Sequence, residues 1–334
     1  MKSPFSQKTM PVKHKEFNFT FRKEQFTIRY HYYYCSQTDE EFTDDRLDEI
    51  NISQVYNQYR EKYGVPFPEE ISAIREKYNV SASRMSEILG LGANTYRLYE
   101  SGEMPSVANG RLILSIDKPE TFIEQVEASA HFLSEKEQQK LISHSRKIKE
   151  EEVKNFWDHM FEEKIFPDHK PSKYNGYKIP DMEKISEVIS YFGKKGIELY
   201  KTKLNKLLFY ADFLSYKRTA YSITGITYKA IPYGPVPSEY DKLFIKLCDD
   251  GKIDIETIQF KDGNFGEKIK AVQNNDVTLS DTEQEILSEV VKFFQNSNTK
   301  QIVDISHSEP AWKENESDRS AINYQKYAFD LIAL

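Results

Sequence analysis

The chain has 334 residues, 30% of them charged, 39% hydrophobic and 13% aromatic, with a formal net charge of -7. Two or three domains fit that length. No apolar run approaches the roughly 18–20 residues that span a bilayer, and the basic start MKSPFSQKTMPVKHKEF has no apolar stretch behind it, which excludes a membrane span and a secretory signal. The two cysteines, Cys35 and Cys248, exclude a disulfide framework and predict a reducing, cytoplasmic setting; the acidic balance excludes DNA binding by broad phosphate neutralisation.

Residues 1–15 read as a disordered, mildly basic tail. In 16–34 Phe17, Phe19 and Phe21 share one face, as do Phe26, Ile28 and Tyr30 after the RKEQ turn, and this period of two predicts a β-hairpin. Asp39 to Asp48 is acidic and caps a helix from Asp44 to Tyr63, ended by Gly64 and bounded by Pro66 and Pro68.

Four short helices are predicted over 68–117. The first buries Ile71, Ile74 and Tyr78; the second starts at the N-cap Ser81 and buries Met85, Ile88 and Leu89. Gly90-Leu91-Gly92 turns the chain, because glycine adopts the left-handed conformation that ends a helix. The third helix, Ala93 to Glu100, packs through Tyr96 and Tyr99, Ser101-Gly102 ends it, and a fourth follows Pro105. Two short helices around a glycine turn place the second in a DNA major groove. Asn94 then faces adenine, Arg97 guanine or a phosphate, Thr95 offers a methyl or hydroxyl, and Arg84 faces a backbone phosphate. The bases of this stretch, Arg75, Lys77, Arg84, Arg97 and Arg111, are outnumbered by acids, so a two-fold dimer on palindromic operator DNA is expected.

The run IREKYNVS, the G-x-x-N-x-x-x-x-Y-E-x-G pattern through Asn94, Tyr99, Glu100 and Gly102, and the trailing DKPETFIEQV resemble the MqsA-like antitoxins over about 30–126. That family joins a zinc ribbon to an Xre-type helix-turn-helix. The resemblance implies base contact by Asn94; the family's arginine nearby is replaced by Leu98, with Arg97 one residue earlier. The ribbon has decayed: tetrahedral zinc wants four thiolate or imidazole ligands, and only Cys35 remains of two C-x-x-C pairs. His14 and His31 do not replace the missing thiolates, so no metal and no cofactor are expected, and the hairpin is expected to survive on aromatic packing.

A charged helical stretch runs from Ser134 to Lys164, opened by a Ser134/Glu137 capping box. PDHKPSKYNGYKIPD (167–181) reads as a linker. Beyond it, helices are expected from Met182 to Phe192, Thr202 to Lys217, Ser238 to Cys248 and Ser280 to Phe294, with a β-hairpin around Asp262-Gly263-Asn264. Tyr233-Gly234-Pro235-Val236-Pro237 reads as a rigid turn aiming a helix capped by Ser238. KLNKLLFYADFLSYKR, ITGITYKAIPYGPVPSEYDKL and SHSEPAWKENESDRSAI resemble the SocA-like Panacea domain, which implies direct binding and neutralisation of a protein toxin. Tyr228, Tyr233, Gly234, Pro235 and Tyr240, with Tyr221 nearby, are the candidate toxin contacts, tyrosines being low-entropy interface anchors.

His131, His144, His159, His169 and His307 lack ligand or catalytic spacing, no glycine loop cradles a phosphate, and no catalytic residue is assigned. The expected fold is mainly α with small β-hairpins (α+β). Its domains are 1–63 (degenerate ribbon and helix), 64–126 (helix-turn-helix), 127–180 (charged helix and linker) and 181–334 (Panacea-like). The function expected is that of a cytoplasmic type II antitoxin with a nearby-encoded toxin partner. A proteolytic adaptor, a prophage regulator and a ligand-sensing transcription factor are the alternatives.

Overall fold

The computed structural model describes residues 1–5, 7–166, 169–260, 263–272 and 278–334, apart from the side chain of His159; Asp262 of the expected turn lies outside the described residues. The described residues are mainly helical with three small antiparallel sheets, and the chain divides into two compact units: residues 1–54 with 162–334, and residues 55–161. The boundaries expected at 63/64, 126/127 and 180/181 do not coincide with that division.

In the larger unit β1 (Val12–Phe21) and β2 (Glu24–Cys35) make the expected hairpin, longer at both ends. Arg22 and Lys23 alone form its turn, both at positive φ (47° and 69°), the geometry whose twist matches the flanking strands. A third strand, β3 (Glu40–Phe42), pairs with residues 33–35 of β2 in what had read as a helix cap. Helix α1 (Asp45–Tyr63) follows, its start held by Asp44 Oδ1 accepting from Leu47 N at 3.0 Å.

Where β3 stops, side-chain amides of α1 take over the strand's role. Asn51 exchanges hydrogen bonds with the N–H and C=O of His31 (2.7 and 3.0 Å), and Gln54 does the same with Arg29 (2.9 and 2.9 Å). Spacing of three on the helix matches spacing of two on the strand. Both amides are buried, as backbone groups cut off from water must be paired. Gln54 Oε1 also accepts from Gln325 Nε2 at 2.9 Å, Arg29 pairs with Asp330 at 3.0 Å and His31 packs on Phe329. The N-terminal sheet is therefore docked on residues 325–330. We expect Gln54→Ala, which strands the Arg29 backbone groups, to cost about 1–3 kcal/mol of this unit's stability, read as a lower urea midpoint.

Two expectations, a disordered tail and a linker, fail here. The 1–15 segment is anchored: Ser3 and Met10 are buried, Met10 N bonds Met1 O at 3.0 Å and Ser3 Oγ lies 3.2 Å from Cys35 Sγ. The 169–181 stretch is no linker either. Tyr177 is buried, Ser222 Oγ donates to Asn175 O at 2.8 Å and Tyr324 N to Lys173 O at 2.9 Å. Its prolines and glycine shape a packed turn whose partners are far away in sequence.

The smaller unit takes the second half of α1, then α2 (Pro68–Lys77), α3 (Ala82–Ile88), α4 (Thr95–Glu100), α5 (Val107–Ser115), α6 (Pro119–Ala128), α7 (Glu135–Lys154) and the first part of α8 (Phe156–Ile165). Its core gathers Ile71, Ile74, Met85, Ile88, Tyr96, Ile113, Phe122 and Val126, with Leu141 and Ile148 of α7 packed on it. The charged helix therefore belongs to the helix-turn-helix unit. Its capping box is present as expected: Ser134 accepts from Glu137 N, and Glu137 from Ser134 N.

The rest of the larger unit contains α9 (Met182–Lys194), α10 (Lys201–Thr219), β4 (Tyr228–Ile231), β5 (Gly234–Pro237), α11 (Tyr240–Asp249), β6 (Ile253–Gln259), β7 (Phe265–Ala271), α12 (Asp281–Phe294), α13 (Thr299–Ser306), α14 (Pro310–Lys313) and α15 (Tyr324–Tyr327). Helix α10 is buried on every side from Lys203 to Tyr216 and is the hub of the unit. In the YGPVP run only Tyr233 lies in a turn; Gly234 to Pro237 are the strand β5, paired with β4. Nor does Ser238 cap α11: Glu239 holds that position, and Ser238 N bonds Thr227 O at 2.8 Å.

Candidate DNA-facing helix and partner-facing hairpin

In the smaller unit both glycine turns are helix C-terminal motifs. Gly90 (φ 65°) lets Leu91 N reach Ser86 O at 2.8 Å, and Gly102 (φ 110°) lets Glu103 N reach Leu98 O at 3.0 Å. Ser81 caps α3 by accepting from Arg84 N at 3.2 Å. Between the turns α4 is fixed from inside. Tyr96 OH donates to Ile71 O (2.8 Å), Ser86 Oγ accepts from Tyr96 N (3.1 Å), and Glu100 accepts from Arg75 Nε (2.5 Å). Buried Arg60, a residue sequence reasoning passed over, donates to Gly102 O at 3.0 Å and ties down the turn after α4.

The leading edge of α4 is left to solvent. Asn94 and Arg97 are exposed, Thr95 is half-exposed, and Asn94, though at the N-cap, makes no capping hydrogen bond. Leu98 is exposed beside Arg97. Arg84 differs: its guanidinium is held by Glu87 at 2.6 Å and Glu137 at 3.0 Å, so its charge is already answered within the unit and the expected phosphate contact loses its basis. Arg75 pairs with Glu100, and Lys77 with Asp117 and Glu152. Among the described residues between 66 and 117, Arg97 and Arg111 are the bases with no carboxylate partner.

Residues 1–127 match the family model for the antitoxin component of a bacterial toxin-antitoxin system, MqsA, and residues 204–313 match that for the antitoxin SocA-like, Panacea domain. One chain thus carries a region similar to the MqsA antitoxins and a region similar to the SocA-like Panacea domain. No curated protein matches it. In the MqsA-type region Cys35 is buried against Ser3, and no metal-ligating group of three occurs among the described residues.

In the Panacea domain the matching sequence runs are mostly the means of its folding. Asp212, wholly buried on α10, accepts from Ile223 N (2.8 Å), Thr224 N (2.8 Å), Thr224 Oγ1 (2.5 Å) and Tyr228 OH (2.7 Å). Burial nevertheless pushes its carboxyl up to about 6, those hydrogen bonds pulling the other way. Tyr228 is thus an internal strut with no surface for a partner, contrary to expectation. Glu309 likewise accepts from Tyr210 OH, Ile332 N and Ala333 N. Sequence reasoning missed both carboxylates, although an aspartate inside LLFYADF is a signal: a charge in an otherwise apolar helix needs buried partners.

The surface feature is the β4–β5 tip. Its two loop residues, Pro232 and Tyr233, are exposed, Tyr233 by 70%. Everything beneath them is fixed. Trp312 Nε1 donates to Ile231 O at 2.7 Å, His307 hydrogen-bonds the Pro232 carbonyl, and the two rings stack with centroids 3.9 Å apart. Gly234 (φ 97°) is pressed so closely on Ser306 and Lys206 that a Cβ would lie 2.5 Å from Ser306 Oγ. Gly234 and Pro235 are buried and position the tip without lining a surface, and Tyr240 and Tyr221 are half-exposed. Of the five candidate contacts, Tyr233 and Tyr240 reach solvent. No described helix is long and apolar enough to cross a membrane.

Proposed function

We propose that this chain is the antitoxin of a type II toxin-antitoxin system. Its Panacea domain neutralises a protein toxin encoded nearby by direct binding, and its helix-turn-helix represses its own operon as a homodimer on a palindrome. The observation that carries this reading is the joining of two antitoxin-type regions in one chain, each with a rigidly supported recognition element open to solvent: the Asn94–Arg97 edge and the Tyr233 tip. Pre-organised aromatic anchors bind without paying an ordering cost at the moment of contact. The sparse basic charge around α4 supports doubling of the site, since two weak half-sites multiply on one operator.

Co-expression with the product of the adjacent open reading frame tests it. Growth arrest by that product should be relieved by the full chain, and the two should co-purify. Tyr233→Ala should weaken the complex about tenfold to a hundredfold, the ordinary effect of removing one aromatic hot spot, with unchanged thermal stability. Relief of toxicity without any complex would refute direct neutralisation.

A further inference from the structure

Beneath the partner-facing tip lies a group the proposed function does not use. Lys206 on α10 is wholly buried, and its Nζ has no hydrogen-bond partner. The tip closes over it only because residue 234 is glycine: a Cβ there would lie 2.6 Å from Lys206 Cε and 3.2 Å from Nζ. Across the tip, Nε2 of His307 is also buried without a partner, and Ser306 Oγ donates back to Val303 O.

Among the described residues no carboxylate reaches the amine. On the elements packed against α10, Glu289 of α12 is engaged by Arg218, Glu267 of β7 by Lys201, and Lys268 and Lys270 of β7 by Glu198 and Glu256. Beyond α13 Glu309 is held by Tyr210 and two backbone amides, and Lys326 of α15 pairs with Glu314. Near α13 lie His307, whose protonation the Lys206 charge opposes, and the exposed Asp304, which favours a charge on His307 and makes no hydrogen bond to the amine. Burial alone brings the Lys206 amine down to about 7.

An ammonium cannot stay in this position unhydrated. The smallest movement that brings water to it is lifting the two-residue tip, which has solvent on its outer side and no side chain packed inward at Gly234. We propose that Lys206 is a proton-operated catch under the β4–β5 hairpin: with the amine neutral the tip is closed and Tyr233 is fixed for binding, and protonation of the amine opens the tip. The catch is a property of this chain alone; its effect on toxin affinity rests on the proposed function.

Hydrogen exchange on the full-length protein, without any partner, tests the catch. After correction for intrinsic rates, protection of the Gly234 and Val236 amides should fall about tenfold per pH unit from about pH 9 to 7, between the ordinary and the lowered lysine values, the slope of one linked proton, and level off below 7. In Lys206→Met, an apolar side chain of similar length, that protection should not vary with pH. Persistence of the slope in the variant overturns the proposal, and so does a flat profile in the wild type. Should Lys206→Met fail to fold, NMR titration of the wild-type lysine amines decides: an amine titrating near 7 is required, and all of them titrating at ordinary lysine values would overturn the catch.

Discussion

Asp212→Ala should unfold the larger unit or leave it barely stable. The substitution removes the acceptor of four hydrogen bonds, from Ile223 N, Thr224 N, Thr224 Oγ1 and Tyr228 OH, none of which has access to water. Each buried donor left unsatisfied costs about 1–3 kcal/mol, so the expected loss is at least about 4 kcal/mol against a typical domain stability of roughly 5–15. Asp212→Asn keeps the shape and one acceptor, and the hydroxyls of Thr224 and Tyr228 can turn to accept from its amide. Less than half the loss is expected from it. The sign of the pH effect separates the two roles of this carboxyl. Its pKa is raised in the fold to about 6 from 3.8, so its contribution favours the fold below pH 4 and is lost as pH rises towards 6. Asp212→Asn should remove that component of the stability profile. The two tryptophans make the measurement clean, because Trp312 lies in the larger unit and Trp157 in the smaller. In a Trp157→Phe background, urea unfolding followed by fluorescence reports the larger unit alone. An Asp212→Ala midpoint within error of wild type would show that the buried acceptor does not hold the fold.

The second large effect concerns DNA. Asn94→Ala combined with Arg97→Ala should abolish specific binding to the chain's own promoter while leaving the fold intact, because both side chains are exposed and neither supports the core. A good base contact is worth about 1–3 kcal/mol, and a dimer loses it twice, which predicts a fall in affinity on the order of a hundredfold to a thousandfold. Arg84→Ala is the internal control. Tied to Glu87 and Glu137, it should change operator affinity by less than about threefold at constant salt, where a true phosphate contact would also reduce the salt dependence. Mobility-shift titrations at two salt concentrations distinguish these outcomes. Equal losses from Arg84→Ala and the Asn94/Arg97 pair would move the DNA-facing surface away from α4.

The same contrast between Arg97 and Arg84 shows where the sequence stops being informative. Both look like surface bases on short helices. One is open and the other is neutralised by a glutamate 53 residues away in sequence. Tyr228 and Tyr233 repeat the lesson five residues apart, one a strut on Asp212 and one an exposed tip.

What the amino-acid order determined alone were features settled within a few residues: the hairpin and its turn, the caps at Ser81, Ser134 and Ser280, the glycine stops at Gly90 and Gly102, and the exposed edge at Asn94. These depend on backbone dihedrals and on hydrogen bonds to near neighbours, which local residue types dictate. Only the tertiary structure decided that the first residues and the supposed linker are packed, that Gly234 to Pro237 are a strand, that the N-terminal sheet docks on residues 325–330, and that Lys206 is sealed without a partner. Each of those depends on which distant groups meet, and burial changes the cost of a polar or charged atom by more than any local preference does.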